Sequence, residues 1–462
     1  MDNNPIYNSD MHSANSGENQ NYNSTYDYQY NQQYNAQYGN NQSYYNNASY
    51  NGHSYYNQNY YGQPYYGYNY YQNLYNMFGG HNPIVEKEFV EIGRRGVISG
   101  ALMIAIFFMQ IAVSTVVSML PIAEAYRSDT TFSMGLGVVL QSFYMLIPAL
   151  FVYFMSKNED QKKMNAFSKP KSAQLYVLGV FAGLAVCLLG NTATSIFSAF
   201  LSGLGVTFFS GSEGMDIPTD FTTVLLFVIN TAVMPALFEE FTFRGVIMQP
   251  LRKYGDWFAI LVSAFCFAVV HANMIQIPFA FIAGVSLGYF CIKTKSIWTS
   301  VTIHFLNNFI SVCFSVYFEK NPESMGLAYY IVSATLIAIG VFAFIVFKKN
   351  CTVKLKKDAT AMSKKQLLKR AAFCASPTVV IAVFFAAFTS LNLMQITAVT
   401  GFFAVVAGLI ALGVVFINWI RRVNMERSIK QRKMYTVSLI LTVFSCCFLA
   451  VAVFAALGQG VS

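Results

Sequence analysis

Long apolar runs, each of about 20 residues, recur along the chain from Val97 onward and are separated by shorter polar segments. A helix of that length crosses the hydrocarbon core of a bilayer, which is about 30 Å thick. The pattern therefore predicts an all-α fold, a polytopic transmembrane helix bundle with about eleven spans. The predicted spans are 97–120, 135–155, 174–204, 221–238, 257–273, 276–292, 297–318, 327–347, 371–393, 398–420 and 435–457.

The first 82 residues follow a different pattern, in which Tyr, Asn, Gln, Ser and Gly dominate and aliphatic residues are almost absent. Such a segment cannot bury enough apolar surface to offset its chain entropy, so 1–82 is predicted to be a disordered tail. It lacks the basic start and apolar core of a cleavable signal peptide, so insertion is expected to use the first internal span. Its histidines, His12, His53 and His81, are too scattered to predict a metal site.

We divide the rest of the chain into N-terminal transmembrane helices over 83–220, a core over 221–320, and C-terminal transmembrane helices of unknown role over 321–462. Composition agrees with a membrane protein, since 55% of the residues are hydrophobic and 11% are charged. The eight cysteines show no CxxC or zinc-ribbon spacing, so we interpret them as small core residues.

The formal net charge of +9 comes from short Lys and Arg clusters that fall in alternate loops, as at 157–171, 252–253 and 421–433. Cytoplasmic loops carry an excess of these residues, so the alternation predicts a cytoplasmic N-terminus and an external C-terminus. The basic balance is thereby assigned to membrane orientation, and no nucleic-acid partner is expected.

Ionisable side chains within the predicted spans are few, and a charge at the centre of a span costs about 2.5 to 3.5 kcal/mol. Glu239 and Glu240 directly follow the fourth predicted span, and Arg244 lies one helical turn after Glu240. Those two residues can pair on one helix face, whereas Glu239 points about 100° away and is left free for proton chemistry. Pro235, just before the glutamates, predicts a local kink because it removes an amide from the helix.

Two histidines lie in the hydrophobic part of the chain. His271 ends an apolar run in the fifth span, and His304 in the seventh shares a helix face with Asn308 one turn later. The predicted topology places Glu239 and His304 toward the cytoplasmic ends of their helices. It places His271 deeper or nearer the far side, which separates that histidine from the other two.

Each of these residues also has a purely structural interpretation. Glu240 and Arg244 could be only a structural ion pair, a lone histidine is often hydrogen-bonded in a core, and Asn308 could be an interhelical hydrogen bond. Phe267 is interpreted as packing. A functional site is favoured because all of them fall within about 70 residues of a chain that otherwise has little buried charge.

Seven of these residues resemble the three ordered motifs of the CAAX protease and bacteriocin-processing enzyme family. That family includes the type II CAAX prenyl endopeptidases and many bacterial relatives linked to bacteriocin self-immunity. The resemblance covers about 221–317 and implies a membrane-embedded endopeptidase in the cell membrane of a bacterium. The residues are Glu239, Glu240 and Arg244, then Phe267 and His271, then His304 and Asn308.

The resemblance also implies a role for each polar residue. Glu239 with His271 would activate a water for attack on a peptide carbonyl, and His304 with Asn308 would donate hydrogen bonds to the oxyanion. The paired glutamate and arginine would hold the first carboxylate in place. Neutral donors aimed at developing charge are strongest where water is sparse, which agrees with a site among membrane helices.

Cofactor and substrate are less specified. The family is often called metalloprotease, yet the chain has no HExxH motif. Zinc, held by two His and one or two Glu, and a metal-free glutamate mechanism are therefore both open. The expected partners are the lipid bilayer and a peptide or protein substrate, such as a prenylated C-terminal tail, a leader peptide or a membrane protein segment, cleaved near the cytoplasmic leaflet.

Two other classes of function compete with a protease. A transporter or channel could use the Glu and His residues as a proton or ion relay, although the sequence shows no clear pair of half-repeats. A non-catalytic immunity or assembly protein could keep the same residues without turnover.

Overall fold

A computed structural model of the chain describes residues 68–396, apart from 79, 81, 157, 165–167, 209–216, 219, 322–324, 361, 364 and 393. This part of the chain is a helix bundle, as the apolar runs predicted. The helices are α1 Tyr68–Met77, α2 Pro83–Met119, α3 Ala123–Ser128, α4 Thr130–Met155, α5 Asn158–Met164, α6 Ala173–Gly203, α7 Phe221–Tyr254, α8 Asp256–Val270, α9 Gln276–Thr294, α10 Ile297–Lys320, α11 Met325–Asn350, α12 Gln366–Cys374 and α13 Pro377–Asn392. Two short strands, β1 Val206–Phe208 and β2 Met394–Ile396, pair antiparallel.

Seven of the described helices are long and apolar enough to cross a bilayer, namely α2, α4, α6, α7, α9, α10 and α11. They correspond to seven of the predicted spans and confirm a multi-pass integral membrane protein. The predicted fifth span is α8, whose 15 residues give a length of about 22 Å, which is less than the thickness of the hydrocarbon core.

The other predicted spans have different outcomes. The ninth corresponds to α12 and α13, which are bent by 72° at a short break. The tenth and eleventh lie outside the described residues. The predicted count of about eleven spans is therefore not confirmed.

Helix α1 lies inside the segment that was predicted to be disordered, and it packs against α2. The rings of Tyr71 and Tyr75 are buried against Phe89, with centroids 6.4 and 5.5 Å from its ring. The Tyr71 hydroxyl donates to the carbonyl oxygen of Gly93 at 2.9 Å. Tyrosine carries a large apolar ring as well as a polar group, so a Tyr-rich segment can bury surface. The prediction of disorder does not hold for α1, and residues 1–67 lie outside the described part of the chain.

Small residues let the helices approach closely, as is typical of helix pairs in membranes. A Cβ atom on Gly340 of α11 would lie 2.5 Å from the carbonyl oxygen of Phe181 in α6. One on Gly284 of α9 would lie 2.9 Å from the Cα of Ala264 in α8. The second contact matters for the site described below, because it brings the backbone of α9 close to α8.

Buried polar contacts fix the last two described helices to the bundle. Lys369 of α12 is fully buried, forms an ion pair with Asp358, and donates to the carbonyl oxygen of Tyr254 at the end of α7, 3.1 Å away. Thr378 of α13 donates to the carbonyl oxygen of Val97 in α2 at 2.9 Å. These contacts place α13 beside α2.

Candidate active site

Glu239 and Glu240 lie close to the middle of α7, a helix of 34 residues. The fourth span was predicted to end at Phe238, which placed Glu239 toward the cytoplasmic end of its helix. The helix instead continues to Tyr254, because the charge of Glu240 is paired inside the bundle and does not end the span. Glu239 therefore lies well inside the helix, and its place toward the cytoplasmic leaflet stays a prediction.

The backbone of α7 has π-helical segments on both sides of the glutamates, at Ile229–Val233 and Glu240–Met248. Pro235 lies in the first turn of the α-helical segment Met234–Glu239, directly after the first of them. The missing amide of the proline thus lies beside a wider turn, and α7 is continuous through this position; the local kink at Pro235 stays a prediction. Single π-helical turns are frequent at functional sites because they re-aim side chains.

The pair predicted between Glu240 and Arg244 is present and fully buried. Nη1 of Arg244 donates to Oε1 of Glu240 at 2.7 Å, and both side chains have 0% of their surface exposed. Nη2 of Arg244 also donates to the carbonyl oxygen of Gly284, 3.3 Å away. The guanidinium carbon lies 4.4 Å from the centroid of the Phe267 ring, a cation–π contact. A carboxylate, a carbonyl and a ring face together compensate the buried charge.

His304 contacts both glutamates, which the sequence did not predict. Its Nδ1 lies 3.0 Å from Oε1 of Glu240, and its Nε2 lies 3.8 Å from Oε2 of Glu239. A carboxylate that is paired with an arginine accepts hydrogen bonds, so Nδ1 of His304 carries the hydrogen. One further proton, on Nε2 or on Glu239, would satisfy the two groups that face each other.

His271 directly follows α8 as its C-cap residue, and its ring orientation is fixed by a hydrogen bond. Its Nδ1 lies 2.7 Å from the carbonyl oxygen of Phe267, which can only accept, so Nδ1 donates. In the neutral ring, Nε2 is then an acceptor. His271 lines the same cavity as Glu239 and His304, so the predicted separation of His271 from the other site residues is wrong.

One cavity brings the candidate residues together. It has a volume of about 150 Å³ and is lined by Glu239 of α7, Phe267 and His271 of the α8 segment, and His304 and Asn308 of α10. We call it the central cavity. A water molecule occupies about 30 Å³ in the liquid, so the central cavity has room for several waters.

Asn308 is held by a chain of carboxamide hydrogen bonds. Its Nδ2 donates to the carbonyl oxygen of Thr231 at 3.0 Å. This carbonyl needs a partner, because the residue four positions on is Pro235, which has no amide hydrogen to donate. Its Oδ1 accepts from Asn307 at 3.1 Å, and Asn307 accepts from Asn191 of α6 at 3.3 Å. A carboxamide has two N–H donors, so Asn308 keeps a second one.

The donor side chains do not form a ready-made zinc site. In the described part of the chain, no three His, Cys, Asp or Glu side chains are close enough together to hold one metal ion. His271, His304 and Glu239 are suitable in type and line one cavity, but zinc needs ligand atoms within about 2.0 to 2.2 Å of the ion. These side chains would have to move to fit one.

The ring of Phe267, which was interpreted as packing within the motif, lies 4.8 Å from that of His271 and 5.8 Å from that of His304, beneath the Arg244 guanidinium. Sequence reasoning missed two contributors to the site. Asn307 could have been suspected as a polar residue beside Asn308. Asn191 is a single amide in another span, and nothing in the sequence connects it to α10.

Comparisons with known proteins agree with the resemblance found in the motifs. Residues 221–310, which supply all six polar candidate residues, match the family model described as "Type II CAAX prenyl endopeptidase Rce1-like". The chain is also 24% identical over 194 residues to "Putative membrane peptidase YdiL" of Bacillus subtilis (strain 168), which covers 41% of this chain and 78% of that protein. No solved structure matches the chain. These similarities support a membrane protease at the level of the family.

Proposed function

We propose that the protein is an intramembrane endopeptidase in which Glu239 activates a water molecule for attack on a peptide bond. The observation that carries the proposal is the central cavity, where Glu239 of α7, His271 at the end of the α8 segment, and His304 and Asn308 of α10 meet. The segment that builds this cavity is similar to prenyl endopeptidases. A transporter would not require a histidine fixed as an acceptor beside a carboxylate and an amide donor in one cavity.

Water activation uses Glu239 and His271. The hydrogen bond from His271 to Phe267 leaves Nε2 as an acceptor, so a water in the central cavity can donate one hydrogen to this nitrogen and the other to the Glu239 carboxylate. As the water oxygen bonds to the peptide carbonyl carbon, Glu239 takes the proton. A positioned base of this kind contributes about 10²- to 10⁴-fold in rate.

The oxyanion that forms is stabilised by Asn308 and His304. Nδ1 of His304 donates to Glu240, and its Nε2 faces the cavity beside Glu239. With a hydrogen on Nε2 as well, His304 donates to the oxyanion through this nitrogen. The second N–H of Asn308 is the other donor.

Collapse of the tetrahedral intermediate completes the reaction. The carbon–nitrogen bond of the peptide breaks, and Glu239 returns the proton it took from water to the leaving amine. The products are a carboxylic acid, which keeps the second hydrogen of the water, and an amine; on release they ionise to a carboxylate and an ammonium group, and Glu239 is again ionised. Glu240 and Arg244 touch no reacting atom in this scheme and act as positioning residues, because they hold the His304 ring through the 3.0 Å contact.

We also propose that the N-terminus is cytoplasmic, in the cell membrane of a bacterium, and that the scissile bond enters from the cytoplasmic leaflet. The ends of α7, α9 and α11 carry the basic residues that support this orientation, namely Arg252 and Lys253, Lys293, and Lys348 and Lys349. Lys293 at the end of α9 donates to the carbonyl oxygen of Val353, which follows α11. Lys369 contacts Tyr254 at the end of α7. Such a basic face is typical of the cytoplasmic side.

The test is cleavage of an unbiased peptide library by the purified protein in detergent, with products identified by mass spectrometry. Wild type and Glu319→Gln, which changes an exposed glutamate at the end of α10, are expected to cleave the same peptides. Glu239→Gln is expected to cleave none of them. Equal cleavage by Glu239→Gln, or no cleavage by folded wild type across the library, would reject the proposal.

A further inference from the structure

A second and larger cavity lies against the other side of His271. It has a volume of about 500 Å³, and its walls come from α2, from α13 and from the turn that joins α8 to α9. We call it the flanking cavity. His271 lines both this cavity and the central cavity, so the two meet at the histidine side chain. Helices α2 and α13 lie outside the segment that matches the family model, so this wall belongs to the rest of the chain.

The lining of the flanking cavity is polar but uncharged. Gln110 and Ser114 of α2, Gln276 of α9 and Thr389 of α13 supply carboxamide and hydroxyl groups, next to apolar side chains such as Phe385. The described residues that line it include no Asp, Glu, Lys or Arg. Polar side chains are costly in a membrane span unless they bind a partner. The Thr389 hydroxyl has one, the carbonyl oxygen of Phe385 at 3.0 Å, while Gln110, Ser114 and Gln276 are exposed side chains at the cavity.

The turn at the boundary between the cavities is held in an unusual conformation. Ala272, between His271 and Asn273, has φ of +47°, in the left-handed region that residues with a Cβ rarely adopt. Its neighbour Asn273 stabilises the turn, because its Oδ1 accepts from the amide of Ile275 at 3.0 Å. Strain of this kind is concentrated at sites that bind ligands. The conformation turns the chain immediately after His271, so that Ala272 and Asn273 line the flanking cavity.

We propose that the flanking cavity binds an extended, uncharged segment of the peptide substrate on one side of the scissile bond. This rests on the proposed function. A peptide must leave helical structure to reach Glu239, and its freed backbone N–H and C=O groups then need partners within the membrane. Carboxamides and hydroxyls donate and accept, as a peptide backbone requires and a lipid chain does not. The volume lies in the usual range of ligand sites, about 300 to 1,000 Å³.

The experiment compares two tryptophan substitutions on α2 with a peptide that wild type cleaves. Ser114→Trp places an indole in the flanking cavity, whereas Val116→Trp changes an exposed position two residues on that does not line it. We expect Ser114→Trp to raise KM at least about tenfold with kcat nearly unchanged, because it removes binding that substrate and transition state share. Val116→Trp is expected to match wild type. Gln110→Leu, a milder change, is expected to raise KM in the same direction.

Peptide variants complete the test with wild-type protein. A lysine or aspartate placed within a few residues of the scissile bond is expected to raise KM on one side only. Equal KM for Ser114→Trp and Val116→Trp, with Gln110→Leu also unchanged, would overturn the inference. A KM that changes with the lipid added to the assay and not with the peptide sequence would also overturn the inference. Failure of wild type to cleave any peptide would instead count against the proposed function.

Discussion

Glu240→Gln is expected to destabilise the protein, whereas Glu239→Gln, at the adjacent position, is expected to leave stability almost unchanged. Glu240 and Arg244 are both fully buried, with a 2.7 Å contact between them. At an effective dielectric constant of about 20, two unit charges at that distance attract by about 6 kcal/mol. A glutamine keeps a neutral hydrogen bond worth about 1 kcal/mol. The expected loss of unfolding free energy is therefore about 3 to 5 kcal/mol, the range for broken buried pairs.

The assay is thermal unfolding in one detergent at one scan rate, because unfolding of a membrane protein can be irreversible. Glu239→Gln is the matched control, because the Glu239 side chain is 14% exposed and its oxygen lies 3.8 Å from Nε2 of His304, a longer contact than that between Glu240 and Arg244. We expect Glu239→Gln to change stability by less than about 1 kcal/mol.

A double-mutant cycle isolates the pair itself. Arg244→Met alone should also destabilise, because it leaves Glu240 as an unpaired buried carboxylate. The double variant Glu240→Gln with Arg244→Met should be less destabilised than the sum of the two, by about 0.5 to 3 kcal/mol. Strictly additive losses, or a Glu240→Gln variant as stable as wild type, would refute the assignment of Glu240 to a stabilising pair.

Three further outcomes are expected. Asn308→Ala should lower kcat by about 10²- to 10³-fold, since it removes an oxyanion donor. Asn191→Ala should lower kcat far less, because Asn191 reaches the site only through Asn307. Equal losses of kcat in the two variants would place Asn308 outside the reaction. Peptide cleavage should persist in a strong zinc chelator, because the described donor side chains are not spaced for one metal ion; loss that added zinc restores would contradict this. Deleting residues 1–63 should leave the melting temperature unchanged. Deleting residues 1–77 should lower the melting temperature, because this deletion removes the buried rings of Tyr71 and Tyr75. Equal melting temperatures for the two deletions would show that α1 contributes no stability.

The hydrophobic pattern predicted the features that depend only on residues close together in the sequence. Seven spans were recognised because an apolar run of sufficient length has few alternatives to a membrane helix. The pairing of Glu240 with Arg244 was also predictable, because residues four apart share a helix face. Helix α1 was missed because a tract of Tyr and Asn was judged by its polarity and not by the ring area of Tyr71 and Tyr75.

Contacts between helices were less predictable. The position of Glu239 near the middle of α7 depends on the helix continuing past it, and that depends on partners from α8, α9 and α10 that the sequence of α7 does not show. The contact between His304 and both glutamates is of the same kind. The hydrogen bond from Asn308 to Thr231 required knowledge of which helix lies beside the proline. Motif order identified the residues of the site, while packing decided which of them touch.

The central claim is that Glu239 is the base that activates water, and the most direct measurement is the rate of cleavage of one identified peptide by wild type and by Glu239→Gln. Both proteins should be folded and at equal concentration, with peptide binding measured separately by fluorescence. We predict a rate at least about 10²-fold lower for Glu239→Gln with peptide affinity unchanged, because the amide cannot accept the proton of water. A Glu239→Gln protein that cleaves within about tenfold of wild type would contradict the claim, since general-base catalysis contributes more than that.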